Sequence, residues 1–122
     1  YFDPMSREEL LKLERKATVM INPTPPSQEF TKYFFPSKTM EYLASGTPTM
    51  MYRLGCMPKE YDKHVYYIDD EKVETLRDKI IEICEKPQEE LDAFGAKARE
   101  FILTKKTPAI QCGKIIELLK SI

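Results

Sequence analysis

Apolar positions follow two rhythms along this chain, short continuous runs in its first half and helical stripes in its second. ATVMIN, residues 17–22, is short, apolar and partly β-branched, the pattern of a buried strand. TPTMMYR at residues 47–53 and HVYYID at 64–69 predict two more strands, joined by the turn-rich link LGCMPKEYDK. Ahead of the first strand, YFDP reads as extended, and SREELLKLERK opens on Ser6 with Glu9 three residues on, a capping box that predicts a helix. Residues 71–86 place Val73, Leu76, Ile80, Ile83 and Cys84 on one stripe, and residues 88–103 do the same with Leu91, Phe94, Ala98 and Ile102. Thr107 followed by Pro108 predicts a capped last helix running to the end. The order of elements argues for an α/β layered fold with a parallel sheet, and no linker divides residues 1–122 into two domains.

Between the first two strands, PTPPSQEFTKYF holds three of the nine prolines and reads as a long loop, a kind of segment that is often functional. It leads into FPSKTMEYLASGTP, which predicts a helix over residues 36–45. Pro36 suits its first turn and Gly46 a left-handed C-terminal cap. Lys38 then stands where the helix macrodipole is positive, an unfavourable place for a cation unless an anion lies beside it. Glu41, three residues on, shares Lys38's face, where a carboxylate can accept hydrogen bonds from a sugar's hydroxyls. The spacing fits the diphosphate and ribose of a nucleotide. The plainer readings are a solvated surface lysine and an i,i+3 pair worth a few tenths of a kcal/mol. Tyr33, Phe34 and Phe35 either stack on a base or belong to the core.

Composition narrows the partners. Nineteen basic residues against twenty acidic ones give a formal charge of −1, so there is no broad field to draw in nucleic acid or anionic lipid. Hydrophobic residues at 42% and charged ones at 32% describe an ordinary globular domain, and no apolar run approaches a membrane span, so a cytosolic segment is expected. Cys56, Cys84 and Cys112 form no CxxC pair, and the single histidine, His64, stands eight residues from the nearest. That is no metal site, and three scattered thiols fit a reducing compartment. The acidic run IDDE at residues 68–71 is followed by only 51 residues that read as helix, too few to build a phospho-acceptor domain after it.

The whole series resembles the C-terminal, nucleotide-sugar-binding domain of the group 1 (family 4) glycosyltransferases, enzymes with two facing Rossmann-like domains (the GT-B fold). The likeness lies in SREEL followed by ATVMINP, in Glu41 to Pro48 as Glu-x-x-x-x-Gly-x-Pro, and in the link LGCMPKEY, which looks like the family's Gly-x-Pro-Glu turn with Gly55, Pro58 and Glu60 in the matching places. The mid-helix glycine of PQEELDAFGAKAREFIL adds to it. With only three strands and no Gly-rich first turn, the chain looks like the second half of such a domain, truncated at its N-terminal side. A three-layer Rossmann-like sheet, partial, is the fold this implies.

The resemblance further implies a retaining hexosyltransferase of polysaccharide biosynthesis that needs no metal or other cofactor. Its donor is a UDP-, GDP- or ADP-sugar and its acceptor a glycan or a lipid-linked molecule. Glu41 would bind the ribose, and Pro36, Ser37 and Lys38 would meet the diphosphate and sugar, with Lys38 the candidate for stabilising the leaving diphosphate. A second motif glutamate, with seven residues between it and Glu41, is here Tyr33; whether Glu29 replaces it depends on the loop. The acceptor-binding N-terminal domain would be a partner outside this chain, so the isolated chain is expected to be inactive. The parent enzyme would lie in the cytoplasm or peripherally at the inner membrane face. Residues 17–22 would form an edge strand suited to homodimer formation. The competing class is a non-catalytic Rossmann-like module for protein interaction.

Overall fold

A computed structural model describes residues 4–122; most of the segment expected to be extended at the start, YFDP, lies outside the described residues. Among these, five α-helices and three strands run in the order α1 (Arg7–Glu14), β1 (Met20–Asn22), α2 (Ser37–Ser45), β2 (Thr49–Tyr52), β3 (Tyr66–Ile68), α3 (Val73–Cys84), α4 (Gln88–Lys105) and α5 (Pro108–Lys120). Short 3-10 turns occupy Glu29–Lys32 and Lys59–Tyr61. The sheet is parallel throughout, in the order β1-β2-β3, with Ile21 opposite Met50 and Met51 opposite Tyr67. This is an α/β fold consistent with a Rossmann-like arrangement.

Burial explains why the middle strand does not alternate. Thr49, Met50, Met51 and Tyr52 are all buried, as expected where a parallel strand is covered on both faces. Leu43 from α2, Ile68 from β3, Ile83 from α3 and Leu91, Ala98 and Ile102 from α4 close around them. The strands are shorter than the apolar runs that predicted them; at β1 the Ala17 amide is still bonded to the Glu14 carbonyl, a turn contact ahead of the strand. On α3, Leu76, Ile80 and Ile83 face the core, whereas Val73 and Cys84, in the first and last turns, are exposed. The aromatic triplet splits: Phe35 packs on Tyr61 at 5.4 Å between centroids, Phe34 is half exposed, and Tyr33 is 85% exposed.

Local chemistry fixes the helix ends. Ser6 and Glu9 form the expected box, with Ser6 Oγ accepting from the Glu9 amide at 3.3 Å and Glu9 Oε2 accepting from the Ser6 amide at 2.8 Å. The Ser6 hydroxyl, which donates to Glu9 Oε2 at 2.7 Å, and the Ser6 amide hold the Glu9 carboxyl below its ordinary range. Thr107 caps α5 through the Ile110 amide. Pro36 is not in the first turn of α2 as its type suggests. Its φ of −72° and ψ of 97° are extended, and its carbonyl accepts from the Thr39 amide at 2.9 Å, which makes it the N-cap and Ser37 the first helical residue. Gly46 ends α2 at φ 86°, a left-handed conformation open to glycine.

The last two helices differ in how they meet the rest. In α4, Gly95 lies against the Gly46 carbonyl, so α4 crosses α2 with no side chain between the two backbones. Arg99, one turn further along α4, donates to the Ala44 carbonyl at the end of α2. In α5 no described residue is fully buried, and Ile115, Ile116, Leu118 and Leu119 are exposed. Among the described residues no helix is long and apolar enough to cross a membrane.

Candidate functional site at the tip of helix α2

The tip of α2 is built on a buried amide. Asn22, last residue of β1, is 8% exposed and donates through Nδ2 to Thr39 Oγ1 at 3.2 Å. Its Oδ1 accepts from the Thr24 amide at 3.3 Å and the Thr24 hydroxyl at 2.8 Å. The amide thus joins strand, loop and helix, and leaves none of its groups wasted in a place where an unmade bond is costly. The rest of the loop is tied down as well. Ser27 donates its amide and its hydroxyl to the two carboxylate oxygens of Glu71, each at 2.8 Å, and buried Thr31 donates to backbone carbonyls of its own turn.

No side chain caps the first turn of α2, and no acidic residue lies in it. That turn, with the positive end of the macrodipole, borders a cavity of about 250 Å³ lined by Asn22, Thr24, Phe34, Pro36, Ser37 and Lys38. That is several times the ~30 Å³ share of one water molecule. Lys38 makes no ion pair among the described residues. A cation held in no ion pair therefore stands beside the dipole at a helix end that already favours anions.

Lys38 also borders a second cavity, of about 180 Å³, with Leu10, Glu14, Met20, Glu41 and Tyr42. Lys38 and Glu41 are thus brought to one pocket, one turn apart on α2. The pocket holds a further carboxylate. Glu14, at the end of α1, is 4% exposed, and its Oε2 has no hydrogen-bond partner among the described residues. Burial pushes the Glu14 carboxyl above its ordinary value, and the like charge of Glu41 adds to this, while Lys38 and Arg7 oppose it. Burial and the same two carboxylates raise the Tyr42 hydroxyl. On the far flank of α2, Glu41 and Ser37 also line a groove of about 460 Å³ with Arg7, Arg15 and Arg99.

Of the residues singled out in the sequence, Pro36, Ser37 and Lys38 therefore line the cavity at the tip of α2, and Lys38 and Glu41 line the second. Tyr33 and Glu29 do not line them: Glu29 opens the 3-10 turn at Glu29–Lys32 and, like Tyr33, faces solvent. Asn22, Thr24 and Glu14 were missed. Asn22 carried a signal as a polar residue ending an apolar strand just before proline. Glu14 carried one too, since it stands four residues after Leu10 and three after Leu11, on the inward face of α1.

The remaining chemistry-bearing residues lie elsewhere. Cys56 donates its thiol to the Phe34 carbonyl at 3.1 Å, and Cys84 and Cys112 are free and exposed. His64 stacks on Phe101 at 4.4 Å, and burial, with Lys63 nearby, lowers its pKa. No group of three or more metal-binding side chains occurs among the described residues. No protein-family model matches the chain, and neither a curated protein nor a solved structure matches it.

Proposed function

We propose that this chain is the donor-binding part of a retaining glycosyltransferase that uses a nucleoside-diphosphate sugar, one half of a GT-B C-terminal domain with its acceptor domain outside the described residues. The observation that carries the reading is the meeting of Lys38 and Glu41 in one cavity beside the uncapped amides of α2. In this reading the diphosphate lies over the Ser37 and Lys38 amides and the ribose beside Glu41. As the bond to the sugar breaks, negative charge grows on the diphosphate. The dipole, the amides and the Lys38 ammonium are already aimed at it, so they lower the barrier without reorganising. Metal is not needed where a fixed cation and a helix end share that task.

The test is a titration of UDP, GDP and ADP followed by amide NMR. One of them is expected to shift Ser37, Lys38 and Thr39, and Lys38→Met is expected to weaken its binding by about tenfold or more, since a hydrogen bond to a charged group is worth about 1.5–3 kcal/mol. If none of the three moves a signal between residues 33 and 41, the donor-site reading falls and the interaction module takes its place. The exposed apolar face of α5 is the observation that favours that second reading.

A further inference from the structure

We propose that Glu14 is a second carboxylate contact for the nucleotide's sugar, sharing the ribose hydroxyls with Glu41 and setting a preference for ribonucleotides over deoxyribonucleotides. The inference rests on the donor-site reading and extends it to a residue of another helix. A carboxylate that is 96% buried and lacks a partner on Oε2 is costly, because buried charge is tolerated where it is paired or hydrogen-bonded. Lys38 and Arg7 offset part of that cost, but no hydrogen bond reaches Oε2 among the described residues. The structural task at this position belongs to the Glu14 backbone, whose carbonyl accepts from Thr47 Oγ1 at 2.7 Å and from the Ala17 amide at 3.3 Å. Any residue supplies a carbonyl. Leu10 and Met20, which line the cavity with it beside Lys38, Glu41 and Tyr42, would suit a leucine or methionine better.

The missing partner has to be a hydrogen-bond donor, and its class can be narrowed. Lys38 already brings a cation to the cavity that Glu14 and Glu41 line, and no group of three or more metal-binding side chains occurs among the described residues. The unpaired oxygen calls for a donor, and a neutral hydroxyl is one. A vicinal diol offers two hydroxyls on adjacent carbons, one for Glu14 and one for Glu41, and a ribose presents that diol close to its diphosphate. Lys38 lines both the cavity at the helix tip and the one that holds the two carboxylates, and the proposed ligand spans the two across that residue. A site built to receive a hydroxyl rejects the analogue that lacks it, since the buried acceptor is then left unpaired.

The test uses the best-binding of UDP, GDP and ADP, together with its 2′-deoxy and 3′-deoxy forms, against the wild-type chain and Glu14→Met, by calorimetric titration. The wild type is expected to bind the ribonucleotide about tenfold more tightly than at least one deoxy form. Glu14→Met should lose about tenfold for the ribonucleotide and nothing for that deoxy form. Equal binding by variant and wild type, or an equal loss for all three ligands, overturns the proposal while leaving the donor site intact. Failure of the wild type to bind any of the diphosphates overturns both. Should the variant not fold, the 13C signal of the Glu14 carboxyl carbon in the wild type decides. A shift on adding the ribonucleotide and none on adding that deoxy form supports the contact, and an unmoved signal removes it.

Discussion

Replacing Gly95 with alanine tests the crossing that holds the C-terminal end of α2. In an ordinary helix interior this change stabilises by about 1 kcal/mol, because glycine loses more backbone freedom on folding. Here the methyl group would lie 2.7 Å from the Gly46 carbonyl carbon, closer still to its oxygen, and 3.4 Å from Pro48 Cδ. The obstacle is backbone at the end of α2, which cannot rotate away as a side chain can. Overpacking costs about 1–3 kcal/mol, and the upper end suits an obstacle this rigid. After the propensity gain, a net loss of about 2 kcal/mol remains, or about 8 °C in Tm for a domain of this size. Gly113→Ala in α5 is the matched control, since nothing lies within 4 Å of the added carbon there; it should hold or raise Tm by up to about 4 °C. Circular-dichroism melts of the two variants beside the wild type read the difference. A Gly95→Ala chain that melts at or above the wild-type temperature would show that α4 does not approach α2 so closely, and the reasoning would fail.

Three other outcomes are expected. Asn22→Ala removes the bond to Thr39 and both bonds from Thr24, and should cost about 1–3 kcal/mol in urea unfolding; a loss within error would mean that the amide does not tie the loop down. Glu14→Met should be more stable than wild type at pH 7, with the advantage shrinking as pH falls. The sign follows from linkage: the folded-state pKa of Glu14 is raised above the ordinary 4.5, so its contribution is best below that value and is lost as pH rises through the folded pKa. A gain that stays constant between pH 4 and pH 7 would contradict it. Finally, β1 ends the sheet of the described residues with one side unpaired, and sedimentation at millimolar concentration should reveal self-association that Ile21→Lys weakens. A monomer at every concentration rules that out.

Much of the fold was legible because its signals are local. The Ser6–Glu9 box, the Thr107–Pro108 start and the Gly46 stop each depend on a few neighbouring residues, and each lies where the chain predicts it. The apolar run TPTMMYR gave a buried strand for the same reason. Where a feature depended on tertiary contact, the chain was a weaker guide. The mid-helix glycine at position 95 was visible, but its reason, the Gly46 carbonyl forty-nine positions away, was not. The site divides in the same way. Lys38 and Glu41 share a helix face, so their spacing placed them together. Glu14 joins them from another helix, and a buried carboxylate on an inward face looks in sequence like any other charged residue of α1.

Helix α2 is secured separately at its two ends, by Gly95 and Arg99 of α4 at one and by Asn22 of β1 at the other. A strut pinned at both ends has little freedom left to surrender when something settles on its tip. If an anion docks there as proposed, it meets a helix tip already held in place, so recognition should proceed with small movement of the receptor and a modest entropic penalty.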